Sequence, residues 1–165
     1  MIESALLLSV LPTLLAGAWL TLKLTVGVVL VGTVLAFQVA LCRNGPSALP
    51  RAAANGYILF FRGTPALVQL FLLYYGAGQF DIVRHSVLWP VLREPFWCVI
   101  LALGLNSAAY TGKTLAAALK AVPHGYQEAA HVLGLSRLHT FVLIELPLAV
   151  RLALPALGNE IILTC

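Results

Sequence analysis

Charged side chains divide this sequence into long apolar runs. Residues 4–22, 24–42, 63–80 and 95–112 contain no Asp, Glu, Lys or Arg, and the breaks between them collect Pro, Gly and basic residues. A helix needs roughly 20 apolar residues to cross a bilayer, within a range of about 17–25, so these runs predict membrane spans. The first run carries Pro12 and a mixed edge of Thr13, Gly17, Trp19 and Thr21; it reads as an interfacial lead-in that merges into a first span over 17–41. Lys23 lies near the outer end of that span, where its long stem can reach the headgroups. A polar turn, Arg43-Asn44-Gly45-Pro46 through Pro50-Arg51, follows.

The second span is interrupted by Gly63-Thr64-Pro65. Proline lacks a backbone donor and clashes with the preceding turn, so a kink is expected there. Two half-spans, 52–62 and 65–79, fit better than one straight rod. Arg62 is expected at this elbow, pairing with carbonyls that Pro65 frees. Residues 79–94, with Asp81, Arg84, Arg93 and Glu94, read as a short polar loop before a third span over 95–118. A fourth stretch begins near Leu138, carries Glu145, Pro147, Arg151, Pro155 and Glu160, and stops at Ile161-Ile162-Leu163-Thr164-Cys165 without a polar exit. The expected architecture is therefore an all-α, polytopic transmembrane helical bundle with about four spans, the last incomplete.

Composition sharpens this picture. The chain of 165 residues is 61% apolar and 10% charged, whereas soluble domains are about 45–50% apolar and about a quarter charged. Too little polar surface is available to cover a soluble enzyme. The net charge of +4 comes from ten Lys and Arg scattered singly, which is no nucleic-acid surface. With the N-terminus outside, Arg43, Arg51, Lys113, Lys120 and Arg137 fall on the cytoplasmic side and only Arg84 and Arg93 on the outer side; basic loops favour the cytoplasm. Met1-Ile2-Glu3 is acidic where a cleaved signal would be basic. The three cysteines lie far apart, the four histidines include no i,i+4 pair, and no phosphate-binding loop is present. Neither a metal site nor a nucleotide hydrolase is expected.

One constellation stands out between the third and fourth spans. Pro123-His124-Gly125 breaks the helix, and Glu128-Ala129-Ala130 with Val132 and Leu133 predicts a short helix whose acidic start suits the positive end of its dipole. Gly134 can take the left-handed conformation that ends such a helix, and Ser136 can cap the next. The product is a helix–Gly–helix elbow, a shape that plugs into a groove on a soluble partner. The plainer alternative is an inter-span loop that happens to be helical and to carry a glycine.

The spacing Glu128-Ala129-Ala130-x3-Gly134-x9-Ile144-x-Leu146-Pro147 resembles the EAA coupling loop of ABC importer membrane subunits. Tyr57 to Gly76 resembles the stretch before and within the second span of polar amino-acid permeases. Ala108-Ala109-Tyr110-Thr111 and Leu154-Pro155-Ala156-Leu157-Gly158-Asn159-Glu160 look like further signatures of that family, and Asp81-Ile82-Val83-Arg84 resembles its histidine and opine branch. The family usually has an acidic residue where Lys113 stands, and usually continues into a fifth span. The resemblance implies a single permease domain over 1–165, incomplete at its end, with a cytoplasmic coupling loop at 120–145. It implies an importer of polar, basic amino acids or opines in the bacterial cytoplasmic membrane. The partners implied are a cytoplasmic ATP-binding subunit, a second permease subunit (a paralogue or itself), an external solute-binding protein and the surrounding lipid. The chain itself would hold no cofactor and be no enzyme, ATP being bound by the partner. Glu128, Ala129, Ala130, Leu133 and Gly134 would form the ATPase-docking set.

Ionisable or amide side chains within spans are expensive and point to pathways by default. Glu160, Asn159 and Asn106 are the candidates for a substrate pathway, against a structural ion pair with Arg151 for Glu160 and helix–helix hydrogen bonds for Asn106 and Ser107. Two rival functions stay open: an ion-coupled secondary transporter, which would need carboxylates of its own for the coupling ion, and a non-transporting membrane fragment or scaffold.

Overall fold

The apolar runs become helices in the expected order. The computed structural model describes the backbone of residues 2–87 and 89–164 and the side chains of residues 10–87, 89–159 and 162. Helix α1 runs unbroken over Ile2–Asn44 with Pro12 inside it, so the lead-in expected over 4–22 is not a separate element. The run is rich in Leu and Ala, strong helix formers, and a single proline does not end it. At about 1.5 Å per residue this helix is about twice as long as the ~30 Å hydrocarbon core is thick, and part of it runs past that core.

Helix α2 spans Ala48–Gly63 and ends at Thr64 in extended backbone. A second rod follows over 66–79, made of α3 (Ala66–Phe71), a π-helical turn (Leu72–Gly76) and a 3-10 turn (Ala77–Gln79). The path bends by 103° between the two rods, at the break that Gly63-Thr64-Pro65 predicts. The polar stretch that follows is not pure loop: it winds into two single turns, α4 (Asp81–Arg84) and α5 (Trp89–Leu92). Helix α6 covers Pro95–Ala121 with proline in its first turn, where a missing N–H costs nothing. Then come α7 (His124–Val132), α8 (Arg137–Thr140), a π-helical turn (Phe141–Glu145) and α9 (Leu146–Thr164). No strand occurs among the described residues.

Helix α6 lies at the centre, packed on α1 along its length and on α2, α3 and α9. Small residues let the first pair of backbones approach closely. Gly27 faces Ile100, Gly104 faces Val31, Gly32 faces Ser107 and Gly112 faces Val39. Ala36, Ala40, Ala108, Ala109 and Ala116 are completely buried around them. Residue numbers rise together on the two helices, so α1 and α6 run parallel. The chain between them therefore returns from one end of the bundle to the other, and the bent rods of 48–79 are the returning segment. On the far side, Ala118 and Val122 of α6 pack on Ala149 and Ala153 of α9.

Two helical stretches, Val10–Asn44 and Arg137–Asn159, are long and apolar enough to cross a membrane, and the bent pair makes a third span when counted as one. Helix α6 is long enough, with 27 residues, but Asn106, Ser107, Tyr110 and Thr111 make it less apolar. Packed on α1, α2, α3 and α9, it would be shielded from lipid by its neighbours where α1 crosses.

Two predictions follow from this packing. A Cβ on Gly112 would sit 3.0 Å from Val39 Cβ and 3.1 Å from the Ala36 carbonyl oxygen, whereas one on Gly56 would meet nothing within 4 Å. Gly112→Val should lower stability by about 1–3 kcal/mol, read as a lower midpoint of thermal unfolding in detergent, and Gly56→Val should not; equal midpoints would refute the close α1–α6 contact. The parallel pair also places Ser47 and His124 at one end and His85 at the other. With the three native cysteines, Cys42, Cys98 and Cys165, replaced by Ser, single cysteines at 47 and 124 should label from the same side of sealed vesicles and one at 85 from the opposite side.

Candidate functional site

The elbow between α6 and α9 is built by local sequence. Val122 ends α6 in extended backbone because the residue before a proline is pushed out of the helical region. Pro123 then acts as the N-cap of α7. Pro123-His124-Gly125 is thus a boundary at its first residue only, and Gly125 lies inside the new helix. This shifts Glu128 to the fifth helical residue; no acidic residue stands in the first turn. The dipole role expected for Glu128 is withdrawn, since that effect fades beyond the first turn. Its carboxylate is exposed and available to a basic partner.

The end of α7 is as predicted. Gly134 has φ +73°, and no non-glycine residue has positive φ among the described residues. Its N–H donates to the His131 carbonyl at 3.0 Å and the Leu135 N–H donates to the Ala130 carbonyl at 3.1 Å, the paired bonds of a Schellman motif. Ser136 caps α8: its hydroxyl oxygen accepts from the His139 N–H and lies 2.7 Å from His139 Nδ1. The turn is thereby held at both sides of the glycine.

The faces of α7 divide differently from the expectation. Ala129, Val132 and Leu133, which share one side at i, i+3 and i+4, are exposed; Val132 is 88% and Leu133 76% accessible. Ala130 is fully buried in its own chain. It seats the elbow on the bundle and is removed from the set that can touch a partner. Behind α7 lies a cavity of about 580 Å³ bounded by Leu41 and Asn44 of α1, Lys120 of α6, His124 and Gln127 of α7, and Glu145. The elbow thus sits at the end of the bundle where α1 finishes, beside Arg43, Arg51 and Lys120.

Inside the spans, the polar side chains are committed to each other. Pro65 cannot donate to the Phe61 carbonyl, four residues earlier. Gln69 Nε2 donates to that oxygen at 2.9 Å and Asn106 Nδ2 donates to it at 3.0 Å. Asn106 also donates to Gln69 Oε1 at 3.1 Å, and Gln69 reaches the Thr64 carbonyl and hydroxyl oxygens at 3.0 and 2.6 Å. Asn106 therefore braces the break in the second span, and the pathway role expected for it is replaced by this structural one. Arg62 does not take the freed carbonyls either. Its guanidinium stacks over the Tyr110 ring at 4.7 Å. Gln69 was missed as a candidate, although a lone amide in the apolar run after a proline is a signal that it must find partners. Tyr57, donating to the Leu105 carbonyl at 2.6 Å, and Asn44, donating to the Ala116 carbonyl at 2.9 Å, were missed too. Asn159 is exposed on α9, and the Glu160 side chain lies outside the described residues.

Residues 28–164 match the family described as binding-protein-dependent transport system inner membrane component. The chain belongs to that family. Members are described as transport components of the inner membrane, and this chain is a multi-pass member. It is 48% identical over 150 residues to the octopine transport system permease protein OccM of Rhizobium meliloti, a match covering 91% of this chain and 61% of that protein. It is 44% identical over 153 residues to the nopaline transport system permease protein NocM of Agrobacterium fabrum, covering 92% and 64%. The arginine ABC transporter permease protein ArtM of Haemophilus influenzae is 40% identical over 153 residues, covering 93% and 67%. A solved structure described as an amino acid ABC transporter with histidines superposes with a TM-score of 0.78 at 34% identity, over 95% of this chain and 69% of that one. The chain thus spans about three fifths of the length of the octopine relatives.

Replacing Gly134 tests whether its left-handed turn holds the elbow. A Cβ there meets nothing within 4 Å, so the penalty is backbone strain alone, about 1–2 kcal/mol. Gly134→Val should speed hydrogen exchange at the Leu135 amide roughly ten-fold, with Gly134→Asn changing it less because Asn tolerates this region; unchanged exchange in the valine variant would assign the elbow's order to another contact.

Proposed function

We propose that this chain is the membrane-spanning permease subunit of an ATP-driven importer for polar, cationic amino acids or opines in the bacterial inner membrane, with 120–145 as its cytoplasmic coupling loop. The single observation that carries the reading is the firmly capped elbow at the basic end of the bundle, with an apolar patch turned away from its own chain. Ala129, Val132 and Leu133 would enter a groove on the ATP-binding subunit, Glu128 would pair with a basic residue there, and Gly134 would fix their angle. The names of the relatives, which speak of octopine, nopaline and arginine, support the substrate class. A second permease subunit and an external solute-binding protein complete the proposed assembly, and the chain itself would bind no cofactor, ATP being held by the partner. Within the spans, Glu160 and Asn159 are the proposed pathway groups, since a carboxylate away from water is a strong partner for a cationic substrate.

The test is co-purification and uptake. Leu133→Ser together with Val132→Ser should reduce retention of the ATP-binding subunit about ten-fold, the equivalent of about 1.4 kcal/mol of lost burial, and abolish ATP-dependent arginine uptake in vesicles. Retention at unchanged yield would refute the docking role. Uptake driven by an ion gradient without ATP would favour the secondary-transporter alternative.

A further inference from the structure

The end of the bundle opposite the elbow carries a feature that transport coupling does not use. Between α1 and α6 runs a groove of about 550 Å³, with Trp19, Lys23 and Trp97 at its mouth and Val26, Leu30 and Ile100 along it. Its floor is the close approach of Gly27 to Ile100, where a Cβ would lie 2.7 Å from the Ile100 Cδ1 atom. Trp19, Val26, Leu30 and Trp97 are all exposed to about half or more of their surface. From Lys23 to Leu30 the groove extends about 10 Å at 1.5 Å per residue, most of the ~15 Å that half of a ~30 Å hydrocarbon core provides.

Three observations bear on the chemistry of a ligand that would fit it. Lys23 has no hydrogen bond or ion pair among the described residues; its ammonium sits over the Trp19 ring, 5.2 Å from the centroid. Arg43 at the other end of the span is instead bonded to Asn55 Oδ1 at 3.1 Å. Lys23 and Arg43 are also about 30 Å apart along α1, the thickness of the hydrocarbon core. When one lies at the level of one set of headgroups, the other lies at the level of the opposite set. Finally, the side chain of Lys23 points back towards the N-terminus of α1, as helical side chains do, and so away from the bilayer centre. An unpaired cation and two indoles at headgroup depth, above a groove with no other polar side chain, match a ligand with an acidic head and an aliphatic tail.

We propose that this groove is a binding site for an anionic phospholipid of the leaflet opposite the elbow, its phosphate on Lys23 between Trp19 and Trp97 and one acyl chain along Val26, Leu30 and Ile100. A neutral helix from another subunit would leave the ammonium without a counter-charge.

Tryptophan quenching tests the site. The chain has three tryptophans, and Trp89→Phe leaves only the two at the groove. This form is reconstituted in phosphatidylcholine vesicles containing a minority of either phosphatidylglycerol or phosphatidylcholine with brominated chains. Brominated phosphatidylglycerol should associate roughly five-fold more strongly, the effect of one lysine near an anionic head. Lys23→Gln should abolish that preference and Lys23→Arg should keep it. Equal quenching by the two brominated lipids, or a preference unchanged in Lys23→Gln, overturns the proposal. Absence of quenching by either overturns it as well and shows that protein covers the groove.

Discussion

Two helices that run parallel in contact cannot be joined by a turn, and this constraint organises the whole chain. The faces of α1 and α6 are lined with glycine and alanine, so their backbones approach closely, and the matching order of their contacts makes them parallel. Everything between Asn44 and Pro95 must then carry the chain back. That return is the bent pair of rods over 48–79. The same constraint puts the start of α2 and the whole elbow at one end. Arg43, Arg51, Lys120 and Arg137 collect there, and the charge asymmetry along the sequence becomes an asymmetry in space.

A bilayer gives an unpaired backbone group no water to turn to, and each such group costs several kcal/mol. Pro65 creates one such group at the Phe61 carbonyl. Two side-chain amides, one local and one from α6, replace the missing N–H. The break in the second span is therefore a bonded joint anchored to the central helix. Tyr57 and Asn44 also tie neighbouring helices to α6, each donating to one of its carbonyls. The polar residues of α6 and its partners serve cohesion first, since between helices in lipid the hydrophobic effect offers little net attraction.

What the sequence made legible was local. The break at Gly63-Thr64-Pro65, the left-handed Gly134 and the Ser136 cap each depend on a few adjacent residues, and each is found where expected; of the four spans expected, two helices and the bent pair are apolar enough to qualify. The misreadings needed longer range or finer phase. Gln69 and Asn106 lie 37 residues apart, and no periodicity along the chain pairs them. Arg62 was given the task of Gln69 because charge draws attention in an apolar run, yet a planar cation finds an aromatic ring, Tyr110, as satisfactory a neighbour. On α7, taking the break to include Gly125 put Glu128 near the helix start. The one-residue difference between exposed Ala129 and buried Ala130 is a 100° rotation that composition cannot resolve.

The elbow combines a stiff join on one side with open space on the other. Towards α9 the path is nearly continuous helix, from the Ser136 cap through the π-helical turn of Phe141–Glu145, which absorbs the proline at 147, into α9 itself. Towards α1 there is instead the cavity of about 580 Å³ beneath α7. A force applied to Val132 and Leu133 from outside would meet little resistance from α1 and would pass along the helical path into α9. From there it would reach α6 through the alanine contacts of Ala118 with Ala149 and Ala153. Because α6 is fixed to α1 by its small-residue face, and the joint at Phe61 is bonded to α6 through Asn106, these parts would move as one body.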